Sequence, residues 1–264
     1  MDMECRVCGT LAVPLFETLV LQRHKVTYFE CPTCEFVQTE TPYWLDEAYE
    51  HAFTSTDTGT LQRTLVLGKS AAALAFFAFD RHARFVDYAG GYGTLARYMR
   101  DIGFDFYSTD LYATNFMARG FDAEPGRYEL ATAFECFEHF VHPGQELEKI
   151  LAYSDSIFFT TQLCPKPVPA IDNWWYYSAH HGQHIALYRR KSLAYLGKQY
   201  GLNYYNLLNY HLLTKRTLSP VVFKFLVAAG RFGLNQLVEL AMKSRQLTDV
   251  ELIRTRSTPQ PTNR

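Results

Sequence analysis

Residues 84–93, RFVDYAGGYG, decide the fold of this chain. A short apolar run ends near Asp87 and passes directly into a glycine-rich turn that contains Gly90 and Gly91. Apolar residues then recur at helical spacing through residues 94–102, so the stretch predicts a strand, a tight turn and a helix. Glycine lets a ligand approach the backbone closely at such a turn, although many glycine turns serve only to reverse the chain.

The alternation of strand and helix continues beyond this turn. Apolar runs that end at Asp110, Phe134 and Thr161 predict three further strands, and residues 143–152 predict a helix between the last two. Strands separated by helices predict an α/β fold with a parallel, doubly wound sheet, in which ligands bind at the carboxyl ends of the strands. Asp110 lies close to the spacing at which an acid binds a ribose diol in dinucleotide folds.

Four of the six cysteines form two pairs near the amino terminus. Each pair has a two-residue gap and twenty-two residues separate the pairs, which are Cys5 with Cys8 and Cys31 with Cys34. Paired thiolates at this spacing bind zinc, and four thiolates leave no open position, so we expect a structural Zn²⁺. Strand-like residues 19–21 and 27–29 lie between the pairs and complete the pattern of a zinc ribbon. Two disulfides or four ordinary buried thiols are the alternative.

The composition excludes several classes of protein. The 264 residues are 48% hydrophobic and 20% charged, which is enough to bury a core and excludes a mostly disordered chain. A net charge of −1 gives no reason to expect a nucleic acid partner. The amino terminus lacks a signal-peptide pattern, and no uninterrupted apolar stretch reaches the roughly 20 residues of a membrane span. We therefore expect a cytoplasmic protein without a membrane span.

Two motifs resemble those of class I S-adenosylmethionine-dependent methyltransferases. Residues 87–93, DYAGGYG, resemble the first motif of that family, D-x-G-x-G-x-G, with Ala89 in place of its first glycine. Residues 135–143, ECFEHFVHP, are similar to the E-x-x-E-H-x-x-x-P loop that follows the fourth strand in a large branch of the family. A zinc ribbon ahead of such a domain is typical of bacterial sugar methyltransferases. The resemblance covers about residues 5–214 and is more specific for the cofactor than for the acceptor.

The resemblance implies roles for individual residues around S-adenosylmethionine. Asp110 would bind the ribose, Leu111 would pack on the adenine, and Glu135 would lie near the sulfonium, whose positive charge an acid stabilises. The residues assigned to the cofactor in this way are Asp87, Ala89, Gly90, Gly91, Asp110, Leu111 and Glu135. Glu138 is a catalytic candidate, with helix capping and packing as the alternative.

Residues 172–184, DNWWYYSAHHGQH, are dense in aromatic rings and histidines and have neither helical nor strand periodicity. Such a segment suits stacking on a sugar ring or a base. Its expected substrate contacts are Trp174, Trp175, Tyr176 and His180. In zinc-ribbon sugar methyltransferases a similar segment carries Glu-His, which Gln183 and His184 match here with Gln in place of Glu. This implies His184 as the general base, with His180 and His181 as competitors.

We therefore predict an enzyme that moves a methyl group to a hydroxyl of a sugar, nucleotide-linked or in a surface glycan. Methylation of a small aromatic hydroxyl, methylation of a sugar carbon, and a non-catalytic protein that binds the cofactor or docks a partner are the alternatives. The predicted parts are a zinc ribbon (1–40), a helical connector that covers the cofactor (41–80), the methyltransferase domain (81–215), a C-terminal helical segment (216–253) and a disordered tail (254–264).

Overall fold

The computed structural model describes residues 3–50, 58–124 and 126–257, which form two sheets with helices around the second. The first sheet is antiparallel with strand order β1-β2-β3-β4-β9. Its strands are β1 (Met3–Glu4), β2 (Leu11–Val20), β3 (His24–Glu30), β4 (Val37–Thr39) and β9 (Ala186–Leu187). The turn between β2 and β3 contains Leu21 and Gln22, both with left-handed φ. Leu21 therefore lies just outside the strand in which the sequence pattern placed it.

The second sheet has six strands in the order β10-β11-β8-β7-β5-β6. They are β5 (Arg84–Tyr88), β6 (Asp105–Thr109), β7 (Leu130–Phe134), β8 (Ser156–Thr160), β10 (Asn203–Leu207) and β11 (Tyr210–Thr214). Strands β5 to β8 are parallel, as predicted, and β10 and β11 add an antiparallel hairpin at the edge beside β8. The predicted α/β fold with a Rossmann-like sheet is confirmed, and the hairpin makes that sheet mixed.

The described part of the chain contains eight α-helices and several shorter helical turns. The helices are α1 (Leu45–Ala48), α2 (Thr60–Ala78), α3 (Thr94–Ile102), α4 (Pro143–Leu151), α5 (Arg190–Gln199), α6 (Pro220–Ala229), α7 (Asn235–Ala241) and α8 (Gln246–Ser257). Single 3₁₀ turns occur at Phe137–His139, Ile171–Asn173 and Trp175–Tyr177, and a wide π turn at Gly230–Leu234 joins α6 to α7. The predicted helices at 94–102 and 143–152 correspond to α3 and α4.

Alternate side chains of the second sheet face two different cores. Phe85 and Phe158 pack with α2, α3 and α6, whereas Val86 and Phe159 pack with α4, α5 and the cysteine pairs. A third core lies under β2 and β3 and includes Trp44 together with aromatic residues of the segment 172–184. The first sheet is therefore packed both against the α/β sheet and against the segment that carries the predicted acceptor site.

Helices α6 and α7 pack on α2 through small residues. A Cβ at Gly230 would lie 2.8 Å from the Lys69 carbonyl oxygen, and Ser70 Oγ donates to the Val227 carbonyl at 3.0 Å. By length and composition alone, Pro220–Ala241 qualifies as one candidate membrane-spanning helix. This is weak evidence, because core helices of soluble proteins pass the same test.

Two predicted segments extend beyond the described residues. Helix α8 ends at Ser257, so residues 254–257 are helical, which corrects the prediction that the disordered tail begins at residue 254. The rest of the segment 254–264 lies outside the described residues, as do residues 51–57 of the connector.

Helix α8 is held against α3 by a buried ion pair. Arg100 is fully buried, and its Nε and Nη2 donate to the two carboxylate oxygens of Asp249 at 2.9 and 2.7 Å. Its guanidinium also lies 3.5 Å from the centroid of the Phe121 ring. Removing one partner of a buried pair leaves the other charge poorly compensated, which typically costs about 3–5 kcal/mol.

We expect Asp249→Ala to lower the free energy of unfolding by about 3–5 kcal/mol in urea denaturation. The matched control is Glu251→Ala on the same helix, because Glu251 is exposed. That substitution should change stability by no more than roughly 0.5 kcal/mol. Equal effects of the two substitutions would contradict this account of how α8 is held.

Candidate functional site

The glycine-rich turn after β5 is fixed by the end of the neighbouring strand. The Gly91 N–H donates to Asp110 Oδ2 at 2.9 Å, and the Gly90 N–H donates to the Thr109 carbonyl at 3.1 Å. Ala89 and Gly91 have left-handed φ values of 55° and 56°. Ala89 thus adopts a conformation that favours glycine, which costs some backbone strain. The related motif has a glycine at this position.

The floor of this turn is closely packed. A Cβ at Gly90 would lie 2.4 Å from Ser108 Oγ and 2.6 Å from Asp87 Oδ2, so only glycine fits. Thr132 Oγ1 donates to Asp87 Oδ1 at 2.6 Å, and burial raises the pKa of Asp87 to about 7. Asp87 therefore packs directly under Gly90. Because the glycines carry no side chain, a ligand is able to approach the main chain of the turn closely. Residues of this kind fit the cofactor that the motif implies.

Asp110 is oriented by the backbone around it. Besides accepting from Gly91, its carboxylate accepts from the N–H groups of Tyr112 and Ala113 at 2.7 and 2.8 Å through Oδ1. These bonds hold the acid at the carboxyl end of β6, where a ribose would lie. Leu111 and Tyr112 beside it are 79% and 73% exposed, and such apolar surface suits an adenine ring.

Glu135 directly follows β7 and has a strained backbone conformation. Its φ is 53°, and non-glycine residues with left-handed φ are enriched at functional sites. Thr160 Oγ1 donates to Glu135 Oε1 at 2.6 Å and accepts from the Glu135 N–H at 3.1 Å. Glu135 is therefore locked to the end of β8, at the edge of the sheet where the sulfonium is expected.

Glu138, His139 and His184 converge on one point. Each offers one metal-ligand atom, and these three atoms all lie within 4.8 Å of one another. Glu138 is 1% exposed, and its Oε2 has no hydrogen-bond partner among the described residues. No side-chain cap starts the 3₁₀ turn at Phe137–His139 or α4, so the alternative role of Glu138 in helix capping has no support.

Both histidines of this cluster are neutral at physiological pH. Burial lowers the pKa of His139 and of His184 to about 4, and His139 lowers the pKa of His184 further while Glu138 opposes the shift. His184 Nδ1 lies 2.6 Å from the Tyr176 carbonyl, so this nitrogen carries the proton and Nε2 has a free electron pair. Such a nitrogen is able to accept a proton or to bind a metal ion.

A chain of rings joins this cluster to the cofactor side. The ring centroid of His139 lies 6.2 Å from that of Tyr49, and the Tyr49 ring stacks on the Tyr112 ring at 5.6 Å. Tyr112 is two residues after Asp110. The cluster and the glycine-rich turn thus occupy the same edge of the sheet, and Tyr49, the residue after α1, connects them. The sequence gives no local sign of this approach, because the contact with Tyr49 depends on how the connector packs.

The aromatic residues of the predicted acceptor segment have different roles. Tyr176 is 1% exposed, its ring lies 4.6 Å from that of His184, and Trp174 packs against Tyr177 at 5.1 Å. Tyr176 is therefore a buried packing residue, which corrects the prediction that it contacts the substrate. Trp174 is half-buried against the third core and stays a predicted substrate contact. Trp175 is 74% exposed and His180 is exposed, so these two remain available to a substrate. His181 contacts the His180 ring at 4.0 Å and is not part of the cluster.

The first sheet holds the segment that carries His184. Arg6 Nη2 donates to the Ile185 carbonyl at 2.6 Å, and β9, directly after Ile185, pairs with β4. Trp44 Nε1 donates to the Gly182 carbonyl at 2.8 Å. Gln183 Nε2 donates to the Ala48 carbonyl at 2.7 Å, a bond that the Glu of the related motif could not make when ionised.

The four paired cysteines form a compact group. The Cys5–Cys34 and Cys8–Cys31 Sγ separations are 3.5 and 3.4 Å, all four sulfurs lie within 4.8 Å of one another, and none is in a disulfide. Sulfurs about 2.3 Å from a tetrahedral zinc lie about 3.8 Å apart, so the group fits that ion. Cys136 and Cys164 are buried elsewhere, and burial raises the pKa of Cys164 to about 11.

Comparisons with known proteins agree with this geometry. Residues 62–207, more than half of the chain, match the family described as "Methyltransferase domain". No curated protein matches the chain.

The solved structures that are similar to this chain include three methyltransferases. The plantazolicin methyltransferase BpumL with a monoazolic desmethylPZN analog and SAH has 13% identity and a TM-score of 0.49, covering 75% of this chain and 87% of that one. The Burkholderia thailandensis 1,6-didemethyltoxoflavin-N1-methyltransferase has 15% identity and a TM-score of 0.47, covering 76% of this chain and 96% of that one. An O-methyltransferase family protein from the same organism has 16% identity and a TM-score of 0.47, covering 64% and 66%.

Proposed function

The chain belongs to the methyltransferase-domain family and is an S-adenosylmethionine-dependent methyltransferase, and from this premise we propose that it methylates a hydroxyl group of a sugar. The sugar is linked to a nucleotide or forms part of a surface glycan. The observation that carries the proposal is the cluster of Glu138, His139 and His184 at the edge of the sheet beside the glycine-rich turn.

This chain binds and orients the reactants. The backbone of Gly90 and Gly91 receives the methionine part, Asp110 holds the ribose, and Glu135 lies near the positive sulfur. When bound, S-adenosylmethionine supplies the methyl group, whose bond to sulfur breaks as its bond to oxygen forms. Alignment of the nucleophile, methyl carbon and sulfur is able to contribute about 7–11 kcal/mol to the lowering of the barrier.

The cluster favours a hydroxyl acceptor over an amine. A neutral amine attacks with its own electron pair, whereas a hydroxyl must lose its proton during or before attack, so it needs a group that assists this loss. The neutral His184, with its Nε2 electron pair, supplies such a group together with its neighbours. Gln183 bonds to the connector, so only His184 of the Gln-His pair is left to act on the acceptor.

The exposed residues near the cluster suit a sugar. Trp175 presents an indole face, and His180 and Asp172 are exposed polar groups of the same segment. An aromatic plane packs on the apolar face of a sugar ring while polar groups bond its hydroxyls. The Cys5, Cys8, Cys31 and Cys34 group, with a structural Zn²⁺ bound, keeps this segment in place through the first sheet.

The acceptor is tested by transfer of labelled methyl groups. The protein is incubated with methyl-labelled S-adenosylmethionine and a panel of nucleotide sugars, glycans and small phenols, and the products are read by mass spectrometry. We expect label on a sugar oxygen. Label only on phenols would replace this proposal with aromatic O-methylation, and label on a sugar carbon would replace it with C-methylation. Bound cofactor with label in no acceptor would favour a non-catalytic binding protein.

The ribose contact is tested separately by Asp110→Ala. Loss of a charge-assisted bidentate contact, and of the bond that fixes the Gly91 N–H, should weaken S-adenosylmethionine binding by about 1.5–3 kcal/mol, or roughly 10- to 150-fold. Calorimetry measures this affinity, with Asp172→Ala as the control because Asp172 is exposed on another element. Undiminished affinity in Asp110→Ala would place the ribose elsewhere.

A further inference from the structure

We propose that Glu138, His139 and His184 bind a divalent transition-metal ion such as Zn²⁺, Fe²⁺ or Mn²⁺, at a site separate from the four cysteines. A bound ion would explain how the cluster acts on an acceptor hydroxyl, so this proposal deepens the proposed function. Only the catalytic role of the ion rests on that function. Binding of the ion is a property of the three side chains themselves.

The donor set is the first argument. Two neutral imidazoles and one carboxylate are the ligands of open zinc sites and of non-haem iron sites, and three protein donors leave positions free for a substrate. The three ligand atoms already lie within 4.8 Å of one another. Donors around one such ion lie roughly 3–3.5 Å apart, so the side chains need to draw in by about 1 Å.

The unpaired oxygen of Glu138 is the second argument. Glu138 Oε2 is buried without a hydrogen-bond partner, and no ion pair of this carboxylate occurs within the part of the chain that the structure describes. A buried carboxylate without a partner is costly, and nearly all buried polar groups in proteins are satisfied. A divalent cation between Glu138 and the two imidazoles would satisfy this oxygen.

The orientation of the imidazoles is the third argument. Nδ1 of His184 lies 2.6 Å from the Tyr176 carbonyl, and Nδ1 of His139 lies 3.1 Å from the Gln183 carbonyl. Metal-binding histidines commonly donate one ring N–H to a backbone carbonyl, which fixes the tautomer and points the other nitrogen at the ion. Tyr176 also packs on the His184 ring at 4.6 Å, so the ring is already held in place.

A bound cation changes the expected role of His184. An acceptor hydroxyl that reaches an open position of the ion loses its proton more readily, because the ion stabilises the resulting negative oxygen. The proton passes to solvent or buffer, the oxygen takes the methyl group, and nothing is oxidised or reduced. His184 is then a metal ligand and does not itself take the proton.

Manganese binding tests the site without turnover. The protein is treated with a weak chelator, and retention of one zinc per chain in the cysteine site is verified by metal analysis. Mn²⁺ is then added, and the free ion is counted by electron paramagnetic resonance, since Mn²⁺ prefers nitrogen and oxygen donors to thiolates. We expect one Mn²⁺ per chain, displaced by an equivalent amount of Zn²⁺, which binds such sites more tightly.

The variants Glu138→Gln and His139→Ala should each weaken Mn²⁺ binding at least tenfold, whereas His180→Ala should leave it unchanged. His180 is the matched control because it is an exposed histidine of the same region. Unchanged affinity for S-adenosylmethionine verifies that each variant is folded. The proposal is overturned if no Mn²⁺ or Zn²⁺ binds beyond the cysteine site at millimolar concentration, or if binding survives in both variants. A failure to find an acceptor leaves this result unaffected.

Discussion

Cys31→Ser removes zinc from the first sheet and abolishes methyl transfer, while the affinity for S-adenosylmethionine stays within a few-fold of the parent protein. This is the result we expect, because Cys31 is fully buried within the group of four sulfurs. Zinc binding to short cysteine-rich units contributes apparent free energies of about 10–16 kcal/mol at neutral pH, and such units unfold without the metal. No other substitution considered for this chain is expected to have so large an effect.

The loss of activity follows from what the first sheet holds. Without the metal, the Arg6 bond to Ile185 and the pairing of β4 with β9 are lost, and both position the segment that contains His184. The glycine-rich turn and Asp110 depend on β5 and β6 instead, so the cofactor site should survive. We therefore expect this one variant to lose methyl transfer while it keeps cofactor binding.

Three measurements check this result: metal analysis, transfer of labelled methyl, and calorimetry with S-adenosylmethionine. Cys164→Ser is the control, because Cys164 is also buried but lies outside the sulfur group. It should retain one zinc and its activity. Full activity in zinc-free Cys31→Ser would show that the segment is held without the ribbon. Loss of cofactor binding together with the metal would show that the ribbon is part of the core that the glycine-rich turn needs.

Local patterns account for what the sequence predicted well. Three features depend on residues that lie close together in the chain, so their geometry follows from sequence spacing. They are each C-x2-C cysteine pair, the turn around Gly90, and the helical periodicity of apolar residues in α3. Strands β5 to β8 are apolar because both faces of a covered parallel sheet are buried, and such runs are visible without any tertiary information.

The features that the sequence missed depend on contacts between distant segments. Strand β9 has two residues, Ala186 and Leu187, and becomes a strand only because β4 lies beside it. Tyr176 looks like a substrate contact until packing buries it. His139 and His184 are 5.1 Å apart between ring centroids, although no local spacing connects them. Glu138 could be recognised only as part of a motif, because its unpaired oxygen is a property of the folded interior.

His184→Ala should lower kcat/KM for methyl transfer by about 10²- to 10⁴-fold, the usual contribution of a group that assists proton loss. The affinity for S-adenosylmethionine should change little, since His184 lies on the segment held by the first sheet and not at the glycine-rich turn. His82→Ala, at an exposed histidine outside this segment and outside the cluster, should retain near-normal turnover. Unimpaired turnover in His184→Ala would agree with a methyltransferase but would show that the cluster takes no part in its mechanism.

The comparison of His184→Ala with His139→Ala then separates the two ways in which the cluster could act. If His184 alone accepted the proton, His139→Ala would remove a neighbour and cost far less activity than His184→Ala. If both residues are ligands of one cation, each variant loses the same ion, so the two losses should be similar and a strong chelator should reproduce them in the parent protein. The unpaired Glu138 oxygen and the carbonyl-bound Nδ1 atoms make the second pattern the expected one. If methyl transfer resists the chelator and only His184→Ala reduces it, then His184 acts as a simple base.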